Sequence, residues 1–167
     1  MIALPVEALT TEAFAPFGDV IEARETTAFW VNDGQAQRFH DLALVEVGVD
    51  GQALVSIFRS APSTFPLALR KLERHPLGSQ AFIPLGAHPF LVVVAATTAA
   101  DVPERPRAFL SNGQQGVNYR TGLWHHALVA LDRHTDFLVI DRGGPGANCD
   151  VVELATGYVI DAPHLPD

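Results

Sequence analysis

The chain has 167 residues, a formal net charge of −8 and a 48% hydrophobic composition. This length fits a single domain over residues 1–167, with enough apolar material for a core that needs no disulfides. The acidic balance argues against a nucleic-acid partner, because phosphate binding needs clustered Lys and Arg. The apolar runs are too short to span a bilayer, and the one cysteine favours a reducing compartment. We therefore expect a cytoplasmic protein that binds neither nucleic acids nor membranes.

Short apolar segments separated by Gly and Pro follow one another along the chain, which is typical of all-β sandwiches and barrels. The first element differs, because Thr10 or Thr11 can cap a short helix that runs through Phe14. Residues 65–73 fit either a strand or one helical turn. The segment 89–96 lacks polar alternation, so it should be buried on both faces. The other predicted strands cover 19–21, 42–47, 53–59, 79–85, 108–110, 124–131, 137–140, 151–154 and 158–160.

The richest polar stretch begins at Glu73. Glu73 and His75 are two residues apart and would project from the same face of an extended strand. Both residue types bind metals and transfer protons, and Gln80 adds a neutral donor and acceptor. A solvated, charged turn before a strand would explain the same residues, and for this stretch alone that is the simpler interpretation.

A second stretch contains the adjacent histidines His125 and His126. Neighbouring side chains in a strand point to opposite faces, so at most one of the two can face a barrel interior. A buried histidine bonded to the backbone is the structural alternative. The presence of both stretches in one small domain favours a shared site containing Glu73, His75 and His125.

The two stretches together resemble the two sequence signatures of the cupin superfamily. The correspondences are Glu73-x-His75 for His-x-His, Ser79 or Gln80 for the Glu, Gly86 for the closing glycine, and Gly122-x-x-His125 for the final Gly-x-x-His. This resemblance implies a cupin-like β-barrel of the jelly-roll type. The substitutions in the first signature imply that an ordinary three-His, one-Glu metal site is not present.

Longer phrases, in the same order along nearly the whole chain, resemble bacterial ureidoglycolate lyases. They are His40–Glu46, Glu73–Pro84, Gln115–Tyr119, Trp124–His126 and Asp136–Gly144. The resemblance implies a homodimeric lyase that splits (S)-ureidoglycolate into glyoxylate and urea during allantoin breakdown. The family has also been called ureidoglycolate hydrolase, an amidohydrolase activity that would release ammonia. A metal-dependent dioxygenase or isomerase and a non-catalytic, small-ligand-binding cupin are the other hypotheses.

The expected site follows from these residue types and from the resemblance. Catalysis is expected from Glu73, His75 and His125. Substrate binding is expected from Gln80, Ser79, Asn118, Tyr119, Trp124, Arg59 and Arg142, the two arginines being candidate clamps for a carboxylate. If one divalent metal binds, nickel or another transition metal, His75 and His125 are the expected ligands, with Glu73 or Gln80 completing the set. Without a metal, Glu73 or His75 is the expected base, and Cys149 is expected to be a small packed hydrophobe.

Overall fold

The computed structural model describes residues 1–164, and strands dominate it. The one α-helix of these residues, α1, is Thr11–Phe14, and a 3₁₀ turn covers Glu25–Thr27. The Thr10 hydroxyl accepts a hydrogen bond from the Ala13 N–H at 3.1 Å, so Thr10 is the helix cap. The predicted all-β fold with a short N-terminal helix is confirmed. None of the helices described is long and apolar enough to cross a membrane.

The strands of residues 1–164 are, in chain order, β1 (Ile2–Ala3), β2 (Val6–Ala8), β3 (Gly18–Ile21), β4 (Ala28–Val31), β5 (Ala36–Phe39), β6 (Gln52–Ser60), β7 (Leu67–Arg74), β8 (Gln80–Pro84), β9 (Phe90–Ala95), β10 (Arg107–Leu110), β11 (Gly116–Tyr119), β12 (Trp124–His125), β13 (Val129–Ala130), β14 (Thr135–Gly143) and β15 (Asp150–Ile160).

Two sheets build the barrel. The larger has the order β1-β15-β7-β12-β9-β10-β2, with β13 also paired to β9, and the smaller has the order β3-β11-β8-β14-β6. Strands β1 and β2 lie at opposite ends of the larger sheet, although only Leu4 and Pro5 separate them in the chain. That connection spans roughly 11 Å at most. The larger sheet must therefore curl so that its two edges approach each other.

Strand β9 lies at the centre of the packing and separates two apolar cores. Its six residues are all buried, as the absence of polar alternation predicts. Phe90, Val92 and Val94 pack with side chains of the smaller sheet in one core. Leu91, Val93 and Ala95 face a second core that is built from the larger sheet. The site described below lies beside the first core.

The predicted strand at 42–47 is wrong. Residues 41–48 form no ladder. Their backbone groups bond mainly to side chains, together with a backbone bond from the Ser79 N–H to the Glu46 carbonyl at 2.9 Å. The Glu46 N–H donates to the Ser79 hydroxyl at 2.8 Å, and the Leu44 carbonyl accepts from the Asn118 amide at 2.9 Å. Left-handed backbone at Asp41 and Gly48, with φ of 54° and 62°, bends the segment at both ends.

Two other predicted strand boundaries need correction. The single strand expected at 124–131 is divided into β12 and β13. His125 pairs with Val94 and Val129 with Leu91, so three residues of one strand oppose two of β9, which is a β-bulge. Conversely, the two strands expected at 151–154 and 158–160 form one strand, β15, whose register shifts between Glu153 and Tyr158.

Several short strands were not predicted from the sequence. The hairpin β4–β5 forms a small separate sheet, and its turn has positive φ at Asn32, Asp33 and Gly34. The Asp33-Gly34 pair is a hairpin signal that could have identified it. Strand β11 matters more for function, because Tyr119 lies at its end.

Candidate active site

The centre of the site is a cross-strand pair. His125 on β12 lies directly opposite Glu73 on β7 in the antiparallel ladder, so both side chains project from the same face. The Nε2 atom of His125 is 3.7 Å from Oε1 of Glu73, which is longer than a hydrogen bond. His125 is 2% exposed, whereas the Glu73 side chain is 37% exposed. The pair therefore joins a buried imidazole to a carboxylate that solvent and substrate can reach.

His75 joins this pair from outside the sheet. Strand β7 ends at Arg74, so His75 lies in the turn that follows. Its ring centroid is 5.1 Å from that of His125. The His75 carbonyl accepts a hydrogen bond from the Gly122 N–H at 2.8 Å. Gly122 has φ of 77°, a left-handed conformation that favours glycine, so the Gly-x-x-His spacing links the two histidine-bearing segments.

Both histidines are bonded to a backbone carbonyl through Nδ1, and their Nε2 atoms are free of such bonds within residues 1–164. The Nδ1–H of His125 donates to the Leu123 carbonyl at 2.9 Å, and the Nδ1–H of His75 donates to the Asn148 carbonyl at 2.6 Å. These bonds set the tautomer, since a carbonyl can only accept. Each Nε2 atom is buried and has no hydrogen-bond partner within residues 1–164. In the neutral rings, two Nε2 lone pairs are therefore left for a ligand.

Burial keeps the central histidine uncharged. Desolvation lowers the pKa of His125 to about 4, opposed by its bond to the Leu123 carbonyl and assisted by the nearby His75 and His126. Tyr119 packs against His125 with ring centroids 4.7 Å apart. Desolvation, reinforced by the negative charge of Glu73, raises the pKa of Tyr119. Both groups are therefore neutral near pH 7.

This cluster has the donor set of a transition-metal site. One donor atom each from Glu73, His75 and His125 lies within 4.8 Å of the others. Two imidazole nitrogens and a carboxylate oxygen suit a divalent transition metal. The carbonyls that hold the Nδ1–H groups are the outer partners that metal-binding histidines usually have. The residues present therefore fit one metal ion, and the two partnerless Nε2 atoms are the observation that supports this fit.

A cavity of about 320 Å³ opens beside the cluster. Its lining residues are Phe58, Arg59, Ser60, Glu73, Gln80, Phe82, His125, Ala127 and Leu128. Gln80 is 7% exposed and its amide lies 3.4 Å from the Asp141 carboxylate. His75 and Tyr119 do not line the cavity and instead pack against His125. The cavity therefore presents a carboxylate, an imidazole, an amide, a guanidinium and a hydroxyl beside four apolar side chains.

Three of the predicted substrate-binding residues lie elsewhere. The Ser79 hydroxyl is bonded to the Glu46 backbone, as described above. Asn118 projects from the opposite face of β11 to Tyr119, and its amide donates to Asp19 and Leu44. Trp124 faces the second core, with its ring 4.5 Å below the Arg74 guanidinium. These three side chains are thus occupied by contacts outside the cavity.

The two candidate clamps differ. Arg59 borders the cavity, although its guanidinium Nε and Nη2 donate to Asp136 at 2.7 and 2.8 Å. Arg142 is 9% exposed and donates to the backbone carbonyls of Val47 at 2.8 Å and Pro145 at 2.9 Å. Arg59 is therefore the arginine in a position to meet a substrate, and Arg142 holds two loops together.

The sequence interpretation missed Phe58, which lies in the cavity wall 6.3 Å from the Phe82 ring. Alternation along the predicted strand 53–59 could have identified its inward face. The interpretation of Cys149 as a packed hydrophobe is wrong, because its side chain is exposed. Partial desolvation and the negative charges of Glu73 and Asp150 raise the pKa of the Cys149 thiol. The thiol is therefore not an activated nucleophile.

A carboxylate and two imidazoles beside a cavity in a curled, all-β barrel define an enzyme of the cupin type. A family model described as ureidoglycolate lyase matches residues 1–161. A ureidoglycolate lyase of Stutzerimonas stutzeri is 55% identical over 151 residues, 90% of this chain and 89% of that protein. Proteins of the same name from Pseudomonas aeruginosa and Pseudomonas putida are each 54% identical over 151 residues, 90% of this chain and 89% and 90% of those proteins. The chain belongs to the ureidoglycolate lyase family.

Proposed function

We propose that this protein is a carbon–nitrogen lyase that cleaves (S)-ureidoglycolate into glyoxylate and urea in allantoin and purine nitrogen catabolism. Family membership supports the substrate. The observation that carries the chemistry is the cluster of Glu73, His75 and His125 at the edge of the cavity. These groups can exchange protons and bind a metal, and the reaction requires no nucleophile.

The substrate is a carbinolamide, in which one carbon bears a hydroxyl group, a carboxylate and a urea nitrogen. Removal of the hydroxyl proton lets the carbonyl of glyoxylate form as the carbon–nitrogen bond breaks. A proton then goes to the departing nitrogen, and urea is released without consumption of water. Each positioned proton transfer contributes about 10²–10⁴-fold to the rate. In a metal-free site, Glu73 or His75 takes the hydroxyl proton.

We also propose one divalent metal, nickel or another transition metal, held by His75, His125 and Glu73. A bound ion would supply Lewis-acid polarisation of the hydroxy-acid and a lower pKa of its hydroxyl group. Gln80 lies at the same cavity and binds the substrate in this proposal. Chelator treatment, followed by addition of Ni²⁺, separates the two forms of the site: recovery of activity by the metal would favour the metal-bound form, in which Glu73 and His75 are ligands.

For the substrate carboxylate we propose Arg59, since the guanidinium of Arg142 is held by backbone carbonyls. A planar guanidinium suits a carboxylate, and its contact with Asp136 lies at the exposed rim. Tyr119 supports the site through its packing on His125. For Ser79, Asn118, Trp124 and Arg142 the contacts described above favour a structural contribution over direct substrate binding.

The product assay tests the function directly. Purified protein is incubated with ureidoglycolate, and glyoxylate, urea and ammonia are measured in parallel. We expect equimolar glyoxylate and urea and no ammonia. Stoichiometric ammonia would instead show the amidohydrolase reaction, and binding without turnover would show a small-ligand-binding cupin.

We propose a homodimer that forms through β6. This strand is at the edge of the smaller sheet, so one side of its backbone has no neighbouring strand within the described residues. Large apolar side chains on it are exposed, among them Val55 at 69%, Ile57 at 63% and Phe58 at 44%. A long apolar edge strand requires cover. A second copy of the chain would supply it and would lie next to the cavity wall at Phe58.

A single functional domain over residues 1–167 and a cytoplasmic location complete the proposal. The family match extends over residues 1–161. Cys149 is an exposed free thiol, and such a thiol is best preserved in a reducing compartment.

A further inference from the structure

We propose that Asn148 is a positioning residue that fixes the tautomer and the direction of His75. The inference deepens the proposed function and rests on it for the role of the site, although its geometry stands independently. His75 follows the last residue of β7, so sheet alternation does not determine where its ring points. Another contact must hold the ring, because its buried Nε2 atom has no hydrogen-bond partner among the described residues 1–164.

Asn148 holds the His75 turn at two points. Its backbone carbonyl accepts the His75 Nδ1–H at 2.6 Å, and its side-chain Oδ1 accepts the Leu77 N–H at 2.8 Å. The first bond excludes a proton from Nε2 in the neutral ring, because only one imidazole nitrogen then carries hydrogen. The second bond ties the same residue to the backbone two positions further along. Together the bonds fix both the protonation pattern and the distance of the ring from His125.

The segment that carries Asn148 is itself anchored on both sides. Before it, the Pro145 carbonyl accepts from the buried Arg142 guanidinium at 2.9 Å. After it, the Asp150 carboxylate accepts from Arg74 at 2.9 Å. Gly146 has φ of 93°, and a Cβ there would lie 2.8 Å from a Leu77 methyl, so the segment is pressed against the His75 turn. Asn148 is thereby presented to His75 by a rigid support.

The test compares Asn148→Ala with Asn148→Asp, which retains an oxygen to accept the Leu77 N–H. Asn112→Ala is the matched control, since Asn112 also accepts backbone N–H groups in a turn but lies outside the cavity lining. Nitrogen-15 NMR of the histidine rings reports the tautomer, and titration with Ni²⁺ alone reports its dissociation constant. Activity on ureidoglycolate is recorded separately.

In the unaltered protein we expect His75 to carry its proton on Nδ1. Asn148→Ala keeps the backbone carbonyl that accepts the His75 Nδ1–H but removes the Leu77 bond that holds this carbonyl against the His75 turn. The bond to Nδ1 should therefore loosen, the two tautomers should mix, and Ni²⁺ binding should weaken by about 10–100-fold, the range seen when an outer partner of a ligand is disturbed. Asn148→Asp should restore the tautomer, and Asn112→Ala should change neither measurement.

A proton on Nε2 of His75 in the unaltered protein would overturn the proposal, as would a folded Asn148→Ala variant with unchanged tautomer and Ni²⁺ affinity. If Asn148→Ala does not fold, the tautomer of the unaltered protein decides. Failure of the proposed function is a separate result: the protein would then not turn over ureidoglycolate, whereas the NMR measurement would still judge Asn148.

Discussion

Replacing His125 should damage the enzyme far more than replacing its neighbour His126. His125 is 2% exposed and lies against the cavity, 3.7 Å from the Glu73 carboxylate. His126 is not among the residues that line the cavity, and its Nδ1–H donates to the carbonyl of Ala127 at 2.9 Å. The two residues are adjacent and chemically identical, so the pair of alanine variants compares an imidazole that lines the cavity with one that does not.

The magnitude follows from the role of the imidazole. A positioned proton-transferring group contributes about 10²–10⁴-fold, which is about 3–5 kcal/mol of transition-state stabilisation. We expect His125→Ala to lose kcat/KM by that factor and His126→Ala by less than about threefold, the latter within the usual effect of a change away from the core. Loss of Ni²⁺ binding should accompany only the first variant.

The assay is the initial rate of glyoxylate formation, with circular dichroism and thermal unfolding as checks on folding. His125→Ala leaves a buried gap that itself destabilises the protein, so His125→Gln, which fills more of the space, provides a second comparison. Equal losses in the His125 and His126 variants would refute the reasoning, and so would full activity in a folded His125→Gln protein.

Three further predictions concern the rim, the buried imidazole and the edge strand. Arg59→Ala should raise KM about 10–100-fold with little change in kcat, as expected for loss of a charged hydrogen bond to the substrate. The control Arg133→Ala, which breaks a remote surface ion pair, should leave KM unchanged. An unchanged KM in Arg59→Ala would show that Arg59 does not bind the substrate carboxylate. Burial lowers the pKa of His125 from 6.5 to about 4. As the pH falls, His125 is therefore protonated in the unfolded chain before it is protonated in the folded protein. The free energy of unfolding of chelator-treated protein should thus fall by about 3 kcal/mol between pH 7 and pH 4 relative to His125→Gln, measured by urea denaturation. Ile57→Asp should convert a dimer to monomers in light scattering, whereas Val102→Asp, at another exposed apolar residue, should not; a dimer that survives Ile57→Asp would place the interface elsewhere.

The elements that the sequence predicted well are those whose signal is local. The unbroken apolar run of β9 predicted burial on both faces, and Thr10 predicted the helix start. The run at 42–47 has a similar composition but forms no strand, because its partners are the side chains of Ser79 and Asn118. Pairing of this kind depends on residues more than thirty positions away. No local pattern could distinguish the two runs.

Arg142 shows the same limit in the site. Its position after an apolar strand, next to Asp141, predicted a cation at the mouth of the barrel, and the strand β14 does end there. In the structure the guanidinium donates hydrogen bonds to the carbonyls of Val47 and Pro145, which belong to two loops far apart in the sequence. Composition identifies a charge, but only the packed loops determine whether that charge remains available to a ligand. Arg59, an equally plain candidate in the sequence, has its contact at the exposed rim instead.

Glu73 and His75 are brought together for a different physical reason from the one that the sequence suggested. Period-two alternation would place both on one strand face, but β7 ends at Arg74, between them. Glu73 is directed by its pairing with His125, and His75 by the bond of its Nδ1–H to Asn148. The first contact is part of a sheet ladder, and the second depends on a loop after β14 that Arg142 anchors. Changes in the loop at 144–149 should therefore alter His75 while leaving the Glu73–His125 pair in place, so the two halves of the site can be perturbed separately.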